Sequence, residues 1–462
     1  MRKILGKYIG DRTFYKKVFA VSIPIMIQNA ITNFVSLLDN IMVGRLGTEE
    51  MSGVAIVNQL FFVYYLALFG AIAGAGIFTA QYFGNQDDEG VRYTFRFKLI
   101  ICTVIIIATA ATFLLAGDNL INMYLSGSDD GGDIIATHAY GHTYMLIMLA
   151  GLPAMMLSQV YSGTLRECGR TFVPMVAGLI AVFINLIFNY LLIYGALGFP
   201  EMGVGGAALA TVISRWLEAS IVIIWTHRNK RINTYIVGMY SSFRIPKDIV
   251  FRIIKKGTPL LLNETLWSMG MAALMQCYSV RGLSVVAGMN MCNTVVNVFY
   301  VVFFAMGDAV AILVGQLLGA GKMNEARDTA RKLITLGVFS ATVLAFVVFL
   351  TSGLFPLLYN VDNNTRELAA GFIIIAAIFM PQNAFLHASY FTIRSGGKTV
   401  VTFLFDSGFL FTVTLPVAYV LANFTSLGIF GVYFFVQLTE GIKSMVAYIL
   451  IKKGVWVNNI IN

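Results

Sequence analysis

The sequence predicts an all-α membrane protein of twelve transmembrane helices, built as two six-helix repeats. Apolar residues make up 58% of the 462-residue chain and charged residues only 12%, whereas a soluble domain carries about 25% charged residues. Motifs of the first half recur in the second, and positive charges lie mainly in alternate loops. Because six is an even number, both repeats enter the membrane from the same side. We therefore expect a pseudo-two-fold axis along the membrane normal to relate them.

Paired motifs define the two repeats. QYFG (81–84) and QLLG (316–319) each close an apolar run, one in each half of the chain. The other pairs are SIPIMIQN (22–29) with GTPLLLNE (257–264), TLRECGRT (164–171) with TIRSGGKT (392–399), and Gly203 and Gly206 with Gly428 and Gly431. The offsets of the pairs are similar but not identical, which indicates a duplication with small insertions and deletions. We predict an N-terminal lobe (1–226, helices 1–6), a cytoplasmic linker (227–249) and a C-terminal lobe (250–462, helices 7–12).

Twelve apolar segments are long enough to cross a bilayer. A helix needs about 20 predominantly apolar residues for this, because it satisfies its own backbone hydrogen bonds in lipid. The segments lie at about 17–43, 51–79, 92–116, 134–162, 170–195, 203–226, 250–280, 284–316, 328–355, 367–393, 399–422 and 428–451. Duplicated bundles of this kind are typical of transporters, in which the two repeats move against each other around a central site.

The distribution of Lys and Arg predicts the orientation in the membrane. With the N-terminus in the cytoplasm, 27 of the 32 Lys and Arg residues lie on the cytoplasmic side and only Arg45, Arg281 and Arg366 lie on the other. Cytoplasmic loops carry such an excess of positive charge. We predict a multi-pass protein of the inner (cytoplasmic) membrane with both termini in the cytoplasm. The net charge of +9 then reflects topology, and we expect no nucleic-acid partner.

Polar residues from three helices of the first lobe reach a similar depth, in the outer half of the membrane. Asp39 lies far along the first helix, and Asn185 and Asn189 lie four residues apart, on one face of the fifth. Thr211 lies a few residues into the sixth helix, which enters from outside. A charge at the bilayer centre costs at least about 2.5–3.5 kcal/mol, so Asp39 calls for an explanation. We predict cation coupling or substrate binding; the alternative is that Asp39 caps the outer end of its helix.

Two acids stand out in the second lobe. Glu264 follows Pro259 in the seventh helix, and Asp406 lies at about the same depth in the eleventh. Two neighbouring carboxylates can share a proton, or they can bind a small hard cation such as Na⁺ through their oxygens. The alternative is that each is a buried acid neutralised by hydrogen bonds. Asp308, near the inner end of the eighth helix, either lines a cytoplasmic vestibule or is exposed at the membrane surface.

The remaining charges inside the helices form two related pairs. Arg215 and Glu218 recur as Glu440 and Lys443 with the signs exchanged, and we expect each pair to form along its own helix. The four cysteines have no paired spacing, which indicates neither a disulfide framework nor a metal site. There is no phosphate-binding GxxxxGK[ST] motif, so we do not expect ATP as the energy source. We expect neither an enzyme nor a bound cofactor.

Three further motifs follow one another in a characteristic order and spacing. They are LLDNIMVGRLG (37–47), GGAALAT (205–211) and GTPLLLNETLWSMG (257–270). Together with the paired helix ends, they resemble the bacterial multidrug and toxic compound extrusion (MATE) transporters over essentially the whole chain. The resemblance implies cation-coupled efflux of organic, often cationic, molecules by alternating access between two lobes.

The resemblance also suggests roles for residues of the first lobe. Asp39, Asn185, Asn189 and Thr211 match the family's N-lobe cation cluster. Some members have a carboxylate where this chain has Asn189. The single acid, Asp39, makes Na⁺ binding in this lobe less favourable and leaves protonation of Asp39 as the other route.

In the second lobe the match covers fewer residues. Glu264 matches the family's acid on the seventh helix. The family often has a second acid on the tenth helix, where this chain has the polar residues Gln382 and Asn383. We predict that Asp406 takes the place of that second acid. Gln382 and Asn383 are candidate polar groups of the cavity, together with Asp308 if it lines the vestibule.

These observations predict a secondary active multidrug efflux transporter that exchanges H⁺ or Na⁺ for lipophilic organic cations. We expect a monomer whose partners are the small-molecule organic cation and the lipid bilayer. One alternative is a flippase for a lipid-linked precursor, which would need more positive groups in the bundle than Arg215 and Lys443. The other is a membrane protein without transport activity.

Overall fold

The computed structural model describes residues 7–125, 133–359 and 361–461, and all regular structure in these ranges is helical. The helices of the first half are α1 (Arg12–Gly44), α2 (Thr48–Gly84), α3 (Asp88–Leu125), α4 (Ile134–Leu149), α5 (Leu152–Glu167), α6 (Phe172–Tyr194) and α7 (Gly203–Arg228). Those of the second half are α8 (Lys247–Ser279), α9 (Leu283–Gly319), α10 (Met323–Thr351), α11 (Asn363–Ser395), α12 (Thr399–Phe424) and α13 (Ile429–Lys453).

The helices account for all twelve predicted segments. Within the described ranges, ten are long and apolar enough to cross a membrane, and α4 with α5 brings the number to eleven. These two helices are bent by 50° at a break that includes Gly151, and Pro153 opens α5 because proline cannot continue the backbone hydrogen bonds of α4. The remaining segment is α8, which is 33 residues long but carries Asn263 and Glu264 at its centre.

Packing divides the chain into two units. Unit 1 contains α1 up to Met26, the short stretch Ala80–Gln86 and the chain from Ile254 onward, whereas unit 2 contains Ile27–Thr79 and Asp87–Ile253. In unit 1, Val21 and Ile25 of α1 form an apolar cluster with residues of α9. These units are defined by packing and do not test the lobes predicted from the sequence, 1–226 and 250–462. The two lobes therefore stay a prediction.

In unit 2, arginine side chains hold the segment that follows α7. Arg96 donates hydrogen bonds to the carbonyl oxygens of Met239 at 3.0 Å, Gly238 at 3.1 Å and Arg244 at 3.3 Å. Arg92 donates to the Tyr235 carbonyl at 3.2 Å. The predicted linker is therefore packed against α3, because a guanidinium group has enough donors to bind several backbone carbonyls at once.

Unit 2 also contains a buried ion pair. The Lys98 side chain is fully buried, and its ammonium group donates hydrogen bonds to the Glu167 carboxylate and, at 3.2 Å, to Thr164 Oγ1. Gly76 lies opposite, where a Cβ atom would overlap the Glu167 carboxylate. A glycine at this position of α2 therefore leaves room for the pair.

In unit 1, the two repeated helix ends cross in direct contact. A Cβ atom on Gly84 would overlap the Gln316 carbonyl, and one on Gly319 would overlap the Gln81 carbonyl. The contact is reciprocal, and it explains why each repeat ends this helix with a glutamine three residues before a glycine. Glycine is needed because the two backbones approach too closely for a side chain.

Gln81 also binds the segment 454–461, which follows α13. The side chain of Gln81 is fully buried. Its Nε2 donates to the carbonyls of Ser395 at 3.0 Å and Asn458 at 3.3 Å, and its Oε1 accepts from the Ile460 amide at 2.9 Å. Trp456 is 1% exposed, so the segment is anchored by an apolar side chain as well as by the glutamine.

We predict that Gln81→Ala destabilises unit 1 by about 1–3 kcal/mol, because it leaves buried backbone groups without hydrogen-bond partners. Thermal unfolding of the purified protein in detergent measures the loss, and limited proteolysis should cut more rapidly within 454–461. Gln59→Ala, at an exposed position of the same helix, is the matched control. Unchanged unfolding and proteolysis of the Gln81 variant would show that these hydrogen bonds do not hold the segment.

Candidate functional site

The first candidate site, the Asp39 cluster, consists of Asp39, Asn185, Asn189 and Thr211 in unit 2. Asn189 Nδ2 donates to Asp39 Oδ1 at 2.5 Å. With its amide turned towards Asp39, Asn185 donates to both carboxylate oxygens, at 3.0 and 3.2 Å. Turned the other way, it donates to Thr211 Oγ1 at 3.3 Å. The structure thus brings together the four polar residues that the sequence placed at a similar depth.

Helix geometry and close packing position these side chains. Asn185 and Asn189 lie one helical turn apart on α6, on the same face, and both are buried. Gly206 of α7 lies against the backbone of Leu192, where a Cβ atom would overlap the carbonyl. This close approach of α6 and α7 brings Thr211 to Asn185. Asp39 lies five residues before the end of α1 at Gly44 and bonds across to α6.

The hydrogen bonds that Asp39 accepts come from neutral amides. The guanidinium group of Arg215 is bound to Glu218, at 2.9 Å. Asn189 Oδ1 is buried and has no hydrogen-bond partner within the described ranges. A carboxylate beside an unpaired amide oxygen can accept a proton, or it can supply part of the oxygen shell that a hard cation prefers.

The second candidate site, the unit 1 network, connects Glu264 to Asp406 through neutral groups. The Tyr390 hydroxyl donates to Glu264 Oε1 at 3.4 Å. Asn263 Nδ2 lies 3.3 Å from the same hydroxyl and donates to Asp406 Oδ2 at 3.1 Å. Asn263 is in turn held by Ser407, whose hydroxyl donates to its side-chain oxygen at 2.8 Å. The two acids therefore belong to one network of hydrogen bonds.

Lys443 completes this network on the side of Asp406. Its ammonium group donates to Asp406 Oδ1 at 2.8 Å and to Glu440 Oε2 at 3.3 Å. Thr414 Oγ1 donates to the other oxygen of Glu440 at 3.2 Å. The expected pairing of Glu440 with Lys443 along α13 is observed, as is that of Arg215 with Glu218 on α7. Sequence reasoning missed the second bond of Lys443, to Asp406.

The similar depth of Glu264 and Asp406 made direct contact between the two carboxylates possible, but the structure does not place them in direct contact. Tyr390 and Asn263 bridge the two acids, and the charged partner of Asp406 is Lys443. The reason lies in α12, where Leu404–Gly408 and Leu410–Thr414 form wide π-helical turns. A π turn changes the direction in which the following side chains point, so depth along a regular helix could not reveal the partner of Asp406.

Asn263 and Tyr390 were also missed as site residues. A signal for Asn263 exists in the duplication, because it corresponds to Gln28 when SIPIMIQN is aligned with GTPLLLNE. Gln28 is itself a polar anchor in unit 2, where its side-chain oxygen accepts from Arg166 at 2.6 Å. For Tyr390 we find no sequence signal, since it is one of 21 tyrosines in the chain.

The other three predicted cavity residues have separate surroundings. Asn383 donates to the Tyr300 hydroxyl at 3.1 Å. The side-chain nitrogen of Gln382 is buried without a hydrogen-bond partner in the part of the chain that the structure describes. Asp308 is half-buried on α9. Their role as polar groups of a cavity stays a prediction.

Comparison with known proteins identifies the family. The MatE family model matches residues 24–191 and 259–420, and the two matches begin at Pro24 and Pro259, which are equivalent positions of the two repeats. A "Probable multidrug resistance protein NorM" of Thermotoga maritima is 25% identical, over 96% of this chain and 93% of the relative. A "Multidrug resistance protein MdtK" of Pectobacterium atrosepticum is also 25% identical, over 88% and 87%.

Solved structures agree on the fold. A multidrug resistance MATE family transporter in an outward-facing conformation has a TM-score of 0.83, with 20% identity and 98% of both chains covered. The predicted fold class, an all-α membrane protein of twelve transmembrane helices in two six-helix repeats, is confirmed. Because the family model covers well over half of the chain, this protein belongs to the MatE family of multidrug efflux transporters.

Proposed function

We propose that this protein couples the inward movement of H⁺ or Na⁺ to the export of lipophilic organic cations. We place it in the bacterial inner membrane as a multi-pass monomer with both termini in the cytoplasm. The Asp39 cluster carries the proposal, because it holds a carboxylate in an apolar helix and, among the described residues, gives it neutral amides as its hydrogen-bond donors. Acids within transmembrane helices mark ion or substrate pathways.

The amide groups suit a site that is occupied by a cation only part of the time. When Asp39 is ionised and free, Asn185 and Asn189 donate hydrogen bonds to it. When a proton or Na⁺ neutralises the carboxylate, the Asn185 amide can turn and donate to Thr211 instead, at the distance of 3.3 Å. The side-chain oxygen of Asn185 would then point towards the cation, because the amide nitrogen and oxygen exchange places.

Exchange follows if ion and substrate compete for the same negative charge. A ligand shifts a conformational equilibrium only by its difference in affinity for the two states. An ion bound at Asp39 would favour one conformation, and a cationic substrate would bind in the other only after the ion has left. The names of the relatives support drug-like substrates, and the 36 Phe and 21 Tyr residues offer surfaces for cation–π contacts with them.

Dye efflux from proteoliposomes tests this function. The purified full chain is reconstituted, and export of a fluorescent lipophilic cation is followed under a pH gradient without Na⁺ and under a Na⁺ gradient at equal pH. We expect one of the two gradients to drive efflux. Efflux that persists after both gradients have collapsed would rule out antiport. If correctly folded protein moves no dye under either gradient, drug export is rejected and lipid-linked substrates of a flippase are tested next.

Glu264→Gln is expected to slow efflux about tenfold, equivalent to about 1.4 kcal/mol, without changing which gradient drives it. The variant keeps the contact with Tyr390 but removes a negative charge from the unit 1 network. The measurement is the initial rate of dye efflux under each gradient, with Glu367→Gln at the start of α11 as the control. A change of driving ion would instead place the coupling site at Glu264.

A further inference from the structure

Lys443 lies where the unit 1 network would otherwise offer a binding place for a cation. Its side chain is only 11% exposed, and its ammonium group lies 2.8 Å from Asp406 Oδ1 and 3.3 Å from Glu440 Oε2. It also lies 5.3 Å from the centre of the Phe405 ring. A buried ammonium group is stable only when it is well paired, and here two carboxylates and an aromatic face surround it.

The remaining oxygens of the two acids are occupied by neutral donors. Asp406 Oδ2 accepts from Asn263, and Glu440 Oε1 accepts from Thr414. Each acid thus has one oxygen that bonds to a neutral group and one that bonds to Lys443. Both oxygens that face the ammonium group come from carboxylates, and carboxylate oxygens are among the ligands that bind hard cations.

In unit 2 the acid of the candidate site, Asp39, has a different environment. The equivalents of Glu440 and Lys443 in the first repeat are Arg215 and Glu218, which bond to each other at 2.9 Å. Asp39 is left to accept from neutral amides. Unit 2 therefore leaves Asp39 available to an external cation, whereas unit 1 supplies the ammonium group of Lys443 as the cation for Asp406 and Glu440.

We propose that Lys443 is a tethered cation that excludes exchangeable ions from Asp406 and Glu440. It would thereby act as a specificity-determining residue, because it limits cation exchange to the acids that it does not bind. This inference rests on the proposed function, since it concerns how many cations the transporter can take up. It replaces the expectation that Asp406 itself binds the coupling ion.

A gain of Na⁺ binding tests the proposal. Thermal unfolding of the purified full chain in detergent is followed as NaCl replaces choline chloride at constant ionic strength. All variants carry Asp39→Asn, which removes the acid of unit 2, and all retain Glu264. A bound ion raises the unfolding temperature. We expect Lys443→Gln to create Na⁺-dependent stabilisation, with an apparent Na⁺ affinity at least about tenfold above that of Asp39→Asn alone.

Matched variants separate this gain from a structural effect. Lys443→Arg keeps the positive charge and is expected to show no Na⁺ response beyond that of Asp39→Asn alone. Adding Asp406→Asn to Lys443→Gln removes a ligand and should abolish the gain. A Lys443→Gln protein that folds but gains no Na⁺ response overturns the proposal, and so does an equal gain in Lys443→Arg.

A second measurement uses the native chain, so it does not depend on how the variants fold. Carboxylates are modified with a carbodiimide, with and without Na⁺, and the labelled peptides are measured by mass spectrometry. Labelling of Asp406 and Glu440 should not change with Na⁺, and a fall in labelling would contradict the proposal. Both measurements report ion binding, whereas failure of the proposed function would show as absent dye transport.

Discussion

Asp39→Asn is expected to reduce gradient-driven dye efflux by about 100-fold or more, equivalent to about 2.7 kcal/mol. Asparagine has nearly the same size as aspartate, and its oxygen can still accept a hydrogen bond from Asn189, which lies at 2.5 Å in the native chain. What the variant loses is the negative charge and the ability to bind a proton. Because the packing is conserved, the loss of efflux would report on ion coupling and not on folding.

The measurement is the initial rate of efflux from proteoliposomes under each gradient, with the thermal unfolding of the same preparation as a check on folding. Glu201→Gln removes an acid at an exposed position before α7 and is the matched control, expected to transport normally. If the Asp39→Asn protein still exports dye in response to a gradient, Asp39 is not the residue that binds the coupling ion. Glu264 would then become the first alternative.

Breaking the buried ion pair of unit 2 is expected to destabilise the protein by about 3–5 kcal/mol, because it leaves one charge buried without its partner. Lys98 is fully buried, and Glu167 has 15% of its side chain exposed. In Lys98→Met the Glu167 carboxylate loses its ammonium donor. In Glu167→Leu the ammonium group loses this carboxylate and keeps its hydrogen bond to the neutral hydroxyl of Thr164, at 3.2 Å.

The double variant Lys98→Met/Glu167→Leu is the informative comparison. Replacing both charges by apolar groups of similar volume often costs little, so we expect it to recover most of the stability. Apparent thermal midpoints in detergent, compared at one heating rate, provide the ranking. If the double variant is as unstable as the single ones, the cost lies in packing around Gly76 and not in the unpaired charge.

The helices and the Asp39 cluster could be predicted from the sequence for a simple physical reason. Each residue advances a helix by about 1.5 Å, so counting from the membrane surface gives the depth of a side chain. The depths of Asp39, Asn185, Asn189 and Thr211 are similar, which predicts that they lie close together. The four-residue spacing of Asn185 and Asn189 predicts in addition that both lie on one face of α6. The duplicated motifs predict the two repeats directly, because each motif occurs once in each half of the chain.

Depth does not give the direction in which a side chain points around its helix. Glu264 and Asp406 were placed at similar depth, but the π turns of α12 direct Asp406 towards Lys443. The lysine lies 37 residues farther along the chain, on another helix. No periodicity in the sequence reports such a contact, because it depends on how two helices are rotated against each other.

The hydrogen bonds of Gln81 also have a consequence for biosynthesis. Gln81 is separated from its partners Asn458 and Ile460 by 377 and 379 residues. At a translation rate of about 5–20 residues per second, roughly 20–75 s pass between the synthesis of the glutamine and that of these partners. During this interval α2 exists with a polar amide that its final environment has not yet satisfied. These hydrogen bonds of Gln81 can therefore form only after the ribosome has made Asn458 and Ile460, so the packing of unit 1 is completed after α13 has been synthesised.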